Sequence, residues 1–279
     1  SHYCCGSLLN MSFKRDNPGS SCCSCSCPCY PMDGNAKDIH GRLNLFTSGT
    51  VAYSTDCILG THTAEFSGQG FLHQNAHECY SIGTGLRMWG WFRLDGTQST
   101  NIYSQNIISL GSMAEPSATG IPPVSGAGGI AYTNLGAGAS TSIGPMQAYQ
   151  QNQSGGTTLS PLRRGAWPVP TPKWSFFHIT YTSTGYVYHG GIANVVGMST
   201  DHVIGPNKFF GSTTLLPVFI GGGSTDSRQN AGFDLGGSTT GATTIKIENV
   251  GFSTSIDNFA AKATNLFNSG NGRACPAST

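Results

Sequence analysis

The chain has 279 residues, only 10% of them charged, and a formal net charge of +1, with 14 Lys and Arg scattered along its length. No basic patch forms beyond Arg163-Arg164, which argues against nucleic-acid binding, and no apolar run is long enough to span a membrane as a helix. Disorder is also excluded, because 14 Phe, 10 Tyr and 4 Trp supply ample core material, while 39 Gly and many Ser, Thr, Asn and Gln leave a neutral polar surface.

Ten cysteines are the first anomaly, and seven of them fall within the first 29 residues: Cys4, Cys5, Cys22, Cys23, Cys25, Cys27 and Cys29. Cys57, Cys79 and Cys275 complete the set. An even count fits complete pairing into disulfides in an oxidising compartment. A metal cluster is the competing reading, but Cys25, Cys27 and Cys29 are separated by single residues, tighter than the usual spacing of zinc ligands. Free or intermolecular thiols are a third. The chain begins at Ser1 rather than Met, as it would after removal of a leader such as a signal peptide.

Residues 1–40 show little apolar periodicity and are too poor in hydrophobics to fold by burial alone. They are expected to form a cysteine-rich extension, stapled by disulfides or docked on a partner. Leu43, Leu45 and Val51 open sandwich-like material, with a turn at 67–70. LRMWGWFRL (86–94) alternates, with Trp89 and Trp91 on one face and Met88 and Phe92 on the other. Asn106 to Leu110 is a short apolar strand. Residues 113–143 read mainly as long loops around a possible strand at 130–132, and 146–149 as an edge strand. Trp167 to Lys173 holds three prolines and is an extended lead-in.

KWSFFHITYTSTGYVYHGG (173–191) is the strongest hairpin signal. Trp174, Phe176 and His178 face one way, and Phe177, Ile179 and Tyr181 the other. After the Thr182–Gly185 turn, Tyr186 and Tyr188 share a face. LLPVFI (215–220) is a strand in which Pro217 demands an edge or a bulge. TTIKIENV (243–250) puts Ile245 and Ile247 inward, and Lys246 and Glu248 outward toward solvent. Thr254 with Asp257 reads as a capping box ahead of a short helix with apolar positions at Ile256, Phe259, Ala260, Ala263 and Phe267. Residues 271–279 are tail.

Taken in order, AEFSGQGFL (64–72), LRMWGWFRLDG (86–96), NIISLG (106–111), WSFFHITYTSTGYVYHGG (174–191), LLPVFIGGG (215–223) and IKIENVGFSTSIDNFAAKATNLF (245–267) resemble the laminin G-like or concanavalin A-like jelly-roll family over about residues 60–268. The resemblance implies an all-β, two-sheet antiparallel jelly-roll sandwich over 41–270 with a short C-terminal helix. Members of that family include carbohydrate-binding modules, adhesion domains, viral surface proteins and some glycosidases, so the fold alone does not select a function.

Hydrolysis of a glycoside needs two carboxylates across the scissile bond. Glu65, Glu78, Glu115 and Glu248 are the only glutamates, and they do not form the E-x-D-x-x-E strand motif of the hydrolases with this fold. No Gly-x-Ser-x-Gly elbow or phosphate loop occurs. The chain is therefore expected not to be an enzyme. His73 and His77 stand four apart, a spacing that would join them as metal ligands on a helix, but they read chiefly as loop histidines between strands. No cofactor is expected. The resemblance raises calcium, which in that family supports sugar binding, with Asp201, Asp226 and Asp234 as loop candidates.

A metal-free glycan site needs an exposed aromatic platform, for which Trp167, Tyr186, Tyr188 and His189 are candidates; the competing reading is that these rings fill the sandwich interior. Asn10 and Asn152 head glycosylation sequons. The preferred expectation is a non-enzymatic structural or interaction subunit of an extracellular, cell-surface or virion-surface assembly, forming a homo-oligomer or packing with other subunits. A carbohydrate-binding or adhesion module recognising a surface glycan is the alternative.

Overall fold

The computed structural model describes residues 27–66, 70–95, 103–111, 126–134, 146–151, 157–161, 173–221 and 244–275. Fifteen strands are found among them: β1 (Cys29–Tyr30), β2 (Phe46–Ser48), β3 (Ala52–Ser54), β4 (Thr63–Phe66), β5 (Phe71–His77), β6 (Leu86–Asp95), β7 (Tyr103–Gly111), β8 (Gly126–Asn134), β9 (Met146–Gln151), β10 (Thr157–Pro161), β11 (Ser175–Thr182), β12 (Gly185–Ile192), β13 (Ser199–Ile204), β14 (Leu216–Ile220) and β15 (Thr244–Ser253). One helix, α1, spans Phe259–Phe267.

The strands form two antiparallel sheets. The first runs β13-β12-β11-β6-β15-β4-β3, with β1 also paired to β15, and the second runs β10-β9-β8-β7-β14-β5-β2. This is the two-sheet sandwich that the alternating strands imply.

Strand alternation explains the core. Phe177, Ile179 and Tyr181 of β11, Tyr186 and Tyr188 of β12, Met88 and Phe92 of β6, and Ile245 and Ile247 of β15 all face the second sheet. That sheet answers with Leu72, Ile108, Leu110, Ile130, Val218 and Ile220. The β11–β12 hairpin closes through Ser183 and Thr184, with Thr182 opposite Gly185, as its glycine-bounded turn predicts.

The opposite face of the first sheet is covered too, so β11 is buried at seven successive positions. Trp89, Trp91, Trp174 and Phe176 form a second cluster there with Cys29, Leu266 and Phe267. Phe267 stacks on Trp91 at 6.0 Å and lies 5.6 Å from Phe176. A Cβ at Gly191 would collide with the Phe267 ring, so the missing side chain lets α1 approach the sheet.

Several expectations need correction. Glu248 points away from the inter-sheet core as predicted, yet it is fully buried, because the 56–59 loop lies over it. The Thr254/Asp257 capping box does not form: Asn258, in the left-handed region, is the N-cap, and no side chain caps the helix. Residues 126–134 form a nine-residue strand where mainly loop was expected. Pro217 sits at a register shift in β14, a strand flanked on both sides by β5 and β7, so the bulge reading holds and the edge reading does not.

Residues 27–40 are built into the sandwich. Cys29 and Tyr30 pair with Gly251 and Val250 of β15, and Tyr30 and Met32 are fully buried. The Tyr30 hydroxyl donates to the Leu43 carbonyl oxygen and is 2.7 Å from the Tyr80 hydroxyl; burial and this pairing push the Tyr30 phenol far above its ordinary range. Disulfides Cys27–Cys79 and Cys29–Cys275 fasten the segment to the 3₁₀ turn after β5 and to the C-terminal segment. Cys57 is a free thiol, whereas Cys4, Cys5, Cys22, Cys23 and Cys25 lie outside the described residues.

Candidate functional site: an aromatic row on the second sheet

The outer face of the second sheet carries aromatic side chains. On β5, Leu72 faces the core, so Phe71 and His73 face outward by strand alternation. The β2 register places Phe46 opposite His73, and the β14 register places Phe219 opposite the same residue. A row Phe46–His73–Phe219 therefore crosses three strands, with Phe71 beside it.

The rings touch. Phe46 and His73 have centroids 5.7 Å apart, Phe71 and His73 5.6 Å, and Phe71 and Phe219 6.2 Å. His73 and Phe219 are stacked at 6.3 Å. Phe46 remains 52% exposed, more than a ring that merely completes a core. Partial burial pushes the His73 imidazole below its ordinary pKa, so the row is uncharged at neutral pH. Ser48 stands opposite Phe71 and puts a hydroxyl-bearing residue in register with the rings, whereas Ser109, opposite Phe219, is fully buried. An apolar aromatic patch with a polar neighbour suits a ligand that has one carbon–hydrogen face and a hydroxylated edge.

The residues singled out from sequence lie elsewhere. Tyr186, Tyr188 and His189 are 1%, 4% and 5% exposed. The two tyrosines point into the inter-sheet core, and the Tyr186 hydroxyl donates to the Ala148 carbonyl oxygen, so neither offers a surface platform. His189 lies beneath α1, 5.9 Å from Phe259. Trp167, Asp226, Asp234, Asn10 and Asn152 lie outside the described residues. Asp201 is on β13 opposite Tyr188.

His73 and His77 both lie on β5, not in a loop or on a helix. His77 uses Nδ1 to accept the Cys79 N–H at the following 3₁₀ turn, while His73 joins the aromatic row, so the two do not converge. No group of three or more His, Cys, Asp or Glu that could hold a metal occurs among the described residues. Sequence reading missed Phe46, Phe71 and Phe219. The alternation Phe71, His73 against Leu72, Gln74 was the available signal.

No protein-family model and no curated protein matches the chain. Solved structures do match. A binding domain of botulinum neurotoxin DC in complex with SialylT superposes with a TM-score of 0.54 at 11% identity, covering 87% of this chain and 50% of that one. The binding domain of botulinum neurotoxin serotype C1 gives 0.55 at 12%, covering 87% and 51%. A structure concerning type C neurotoxin, whose cell entry depends on interaction with two ganglioside molecules, gives 0.53 at 11%, covering 87% and 50%. The likeness is one of fold. The chain spans about half the length of these three structures, and the likeness is to its two-sheet antiparallel sandwich. Among the described residues no helix is long and apolar enough to cross a membrane.

Proposed function

We propose that this domain is a non-catalytic glycan-binding or adhesion module that holds a sugar against the Phe46–His73–Phe219 row. The aromatic row, with Phe46 exposed and Phe71, His73 and Phe219 half-buried beside it, is the observation that carries the reading. The sequence resemblance to the laminin G-like and concanavalin A-like families, with their carbohydrate-binding members, supports it. The fold shared with toxin binding domains, one of them a ganglioside-dependent toxin, supports it further. Disulfides at both ends of the described chain suit an extracellular or surface setting.

A glycan array probed with the wild-type chain and with Phe46→Ala tests the proposal. Selective binding that Phe46→Ala abolishes is the expected result; a wild-type chain that binds no glycan, or a variant that binds as well, sinks it.

A second reading is a structural subunit of a surface assembly. One observation favours it: β13 is an edge strand of the first sheet and ends in Ile204, which is 89% exposed. With a net charge of only +1 there is little self-repulsion to keep such edges apart.

A further inference from the structure

Beneath α1 the first sheet holds a group of buried polar side chains that the aromatic row does not use. Arg87 of β6 is 1% exposed, and His178 and Thr180 of β11 are fully buried. Thr180 stands opposite Arg87, and His178 stands between Trp89 and His189 on the flanking strands. All lie on the face away from the inter-sheet core.

The contacts are incomplete. Arg87 donates through Nε to the Ser255 carbonyl oxygen, and its guanidinium lies over the Trp89 ring at 5.6 Å. The His178 ring stacks on Trp89 and is 5.7 Å from His189, whose Nδ1 is 2.9 Å from the Thr200 hydroxyl. Arg87 Nη2, Thr180 Oγ1, both ring nitrogens of His178 and His189 Nε2 are buried and have no hydrogen-bond partner.

The charges around the group are lopsided. Lys262 of α1 adds a cation, its Nζ donating to the Ser255 hydroxyl at 3.2 Å, and His202 of β13, opposite Val187, acts on His189 from the neighbouring position. The one acidic group acting on Arg87 and Lys262 is the exposed Asp257. The ion pairs of the described residues involve Asp33, Asp56, Glu65 and Asp95, not Arg87. Burial lowers the Arg87 pKa to about 10, which leaves it cationic at neutral pH, and it holds both imidazoles below their ordinary range. A buried guanidinium that forms no ion pair and has only the exposed Asp257 acting on it, beside several unmet donors, is costly unless something anionic completes it.

We propose that Arg87, Thr180, His178 and His189 form a binding site for a small oxyanion: a carboxylate, sulfate or phosphate group. Arg87 supplies charge and an N–H, Thr180 a hydroxyl, and each imidazole a ring N–H. Ser255 and Phe259 contact the group from the side of α1, and Lys262 contacts Ser255. The proposal is independent of the aromatic row on the other sheet.

The test follows the histidine ring resonances of the full chain, labelled with ¹⁵N-histidine, during titration with sodium sulfate, sodium acetate and sodium glucuronate. Sodium chloride at matched ionic strength and neutral glucose are the controls. Saturable shifts of His178 and His189 are expected, with affinity reduced at least about tenfold in Arg87→Met, which loses a charge-assisted bond. Comparable responses to sulfate and acetate identify a free anion as the ligand. A response to glucuronate at much lower concentration identifies an acidic saccharide. Thr180→Val, which keeps shape and removes the hydroxyl, reads the same loss if Arg87→Met does not fold. Shifts that only track ionic strength, or equal affinity in the folded variants and the wild type, would overturn the proposal and leave buried water as the occupant.

Discussion

Glu248 of β15 accepts the backbone N–H of Leu59 at 2.8 Å, and the same carboxylate takes the N–H of Ile58, so one buried side chain holds a loop nearly 190 residues away in sequence. Asp33 holds the other end of that loop through the N–H groups of Thr61 and His62.

The Glu248 contact predicts an unusual pH dependence. Burial pushes its carboxyl up to about 8, and the two N–H donors offset this only in part. A carboxyl raised in the folded state from 4.5 keeps a proton that the unfolded chain releases. Its contribution is therefore fully present below the unfolded value and is lost as pH rises to about 8. Glu248→Gln keeps an acceptor oxygen and removes the titration. Urea midpoints measured from about pH 5 to pH 9 should show the wild type losing stability relative to the variant across that window. A difference between wild type and variant that stays constant across the window would mean that the donors hold Glu248 ionised throughout.

The disulfides make a second prediction. Cys29–Cys275 joins residues 246 apart and fixes the C-terminal segment beside β1. Closing so long a loop restricts the unfolded chain strongly, and Cys275→Ser is expected to cost about 2–5 kcal/mol. Thermal unfolding with and without reductant should show the wild type falling toward the variant. Intact mass under the same conditions reports whether cysteines among residues 1–25 also link separate chains: a species that splits on reduction supports assembly, and a chain of constant size removes that support.

The sequence carried the inter-sheet core well, because its signal is local: Phe177, Ile179 and Tyr181 alternate with His178 and Thr180 within a single strand. What covers the outer faces was much less legible. Nothing near Glu248 indicates that residues 56–59 lie over it, so period-two alternation assigned it to solvent. For the same reason Tyr186 and Tyr188 read as a possible platform, although the second sheet buries them. The aromatic row was hidden because it is assembled by register across β2, β5 and β14, three segments far apart in the chain.

The approach of α1 to the first sheet gives a third prediction. Phe267 is 2% exposed and fills the space between Trp91 and Phe176 that glycine at position 191 leaves open. Phe267→Ala removes a buried ring and should cost about 3–5 kcal/mol. Gly191→Ala adds a methyl group where the ring lies, so it should destabilise by displacing α1, costing about 1–3 kcal/mol. Combined in one chain, the small side chain at 267 gives room to the methyl at 191. The double variant should then be more stable than the sum of the two losses, and strict additivity of the unfolding free energies would mean that the two positions do not share this space.

The two functional readings are separated by one pair of substitutions on opposite sheets. Phe46 is half exposed at the edge of the second sheet, so Phe46→Ala should change unfolding stability by less than about 1 kcal/mol. If a sugar ring stacks on the row, the same change should weaken glycan binding about tenfold or more, since an exposed aromatic anchor carries a large share of a small contact. Ile204 lies on the first sheet, at the end of edge strand β13, away from that row. A charge there blocks edge-to-edge pairing, so Ile204→Lys should leave glycan affinity unchanged and lower the mass measured by light scattering if chains assemble through this edge. Loss of binding in Phe46→Ala with unchanged mass selects the glycan module. Reduced mass in Ile204→Lys with no glycan bound by the wild type selects the assembly subunit, because each substitution alters one surface and leaves the inter-sheet core intact.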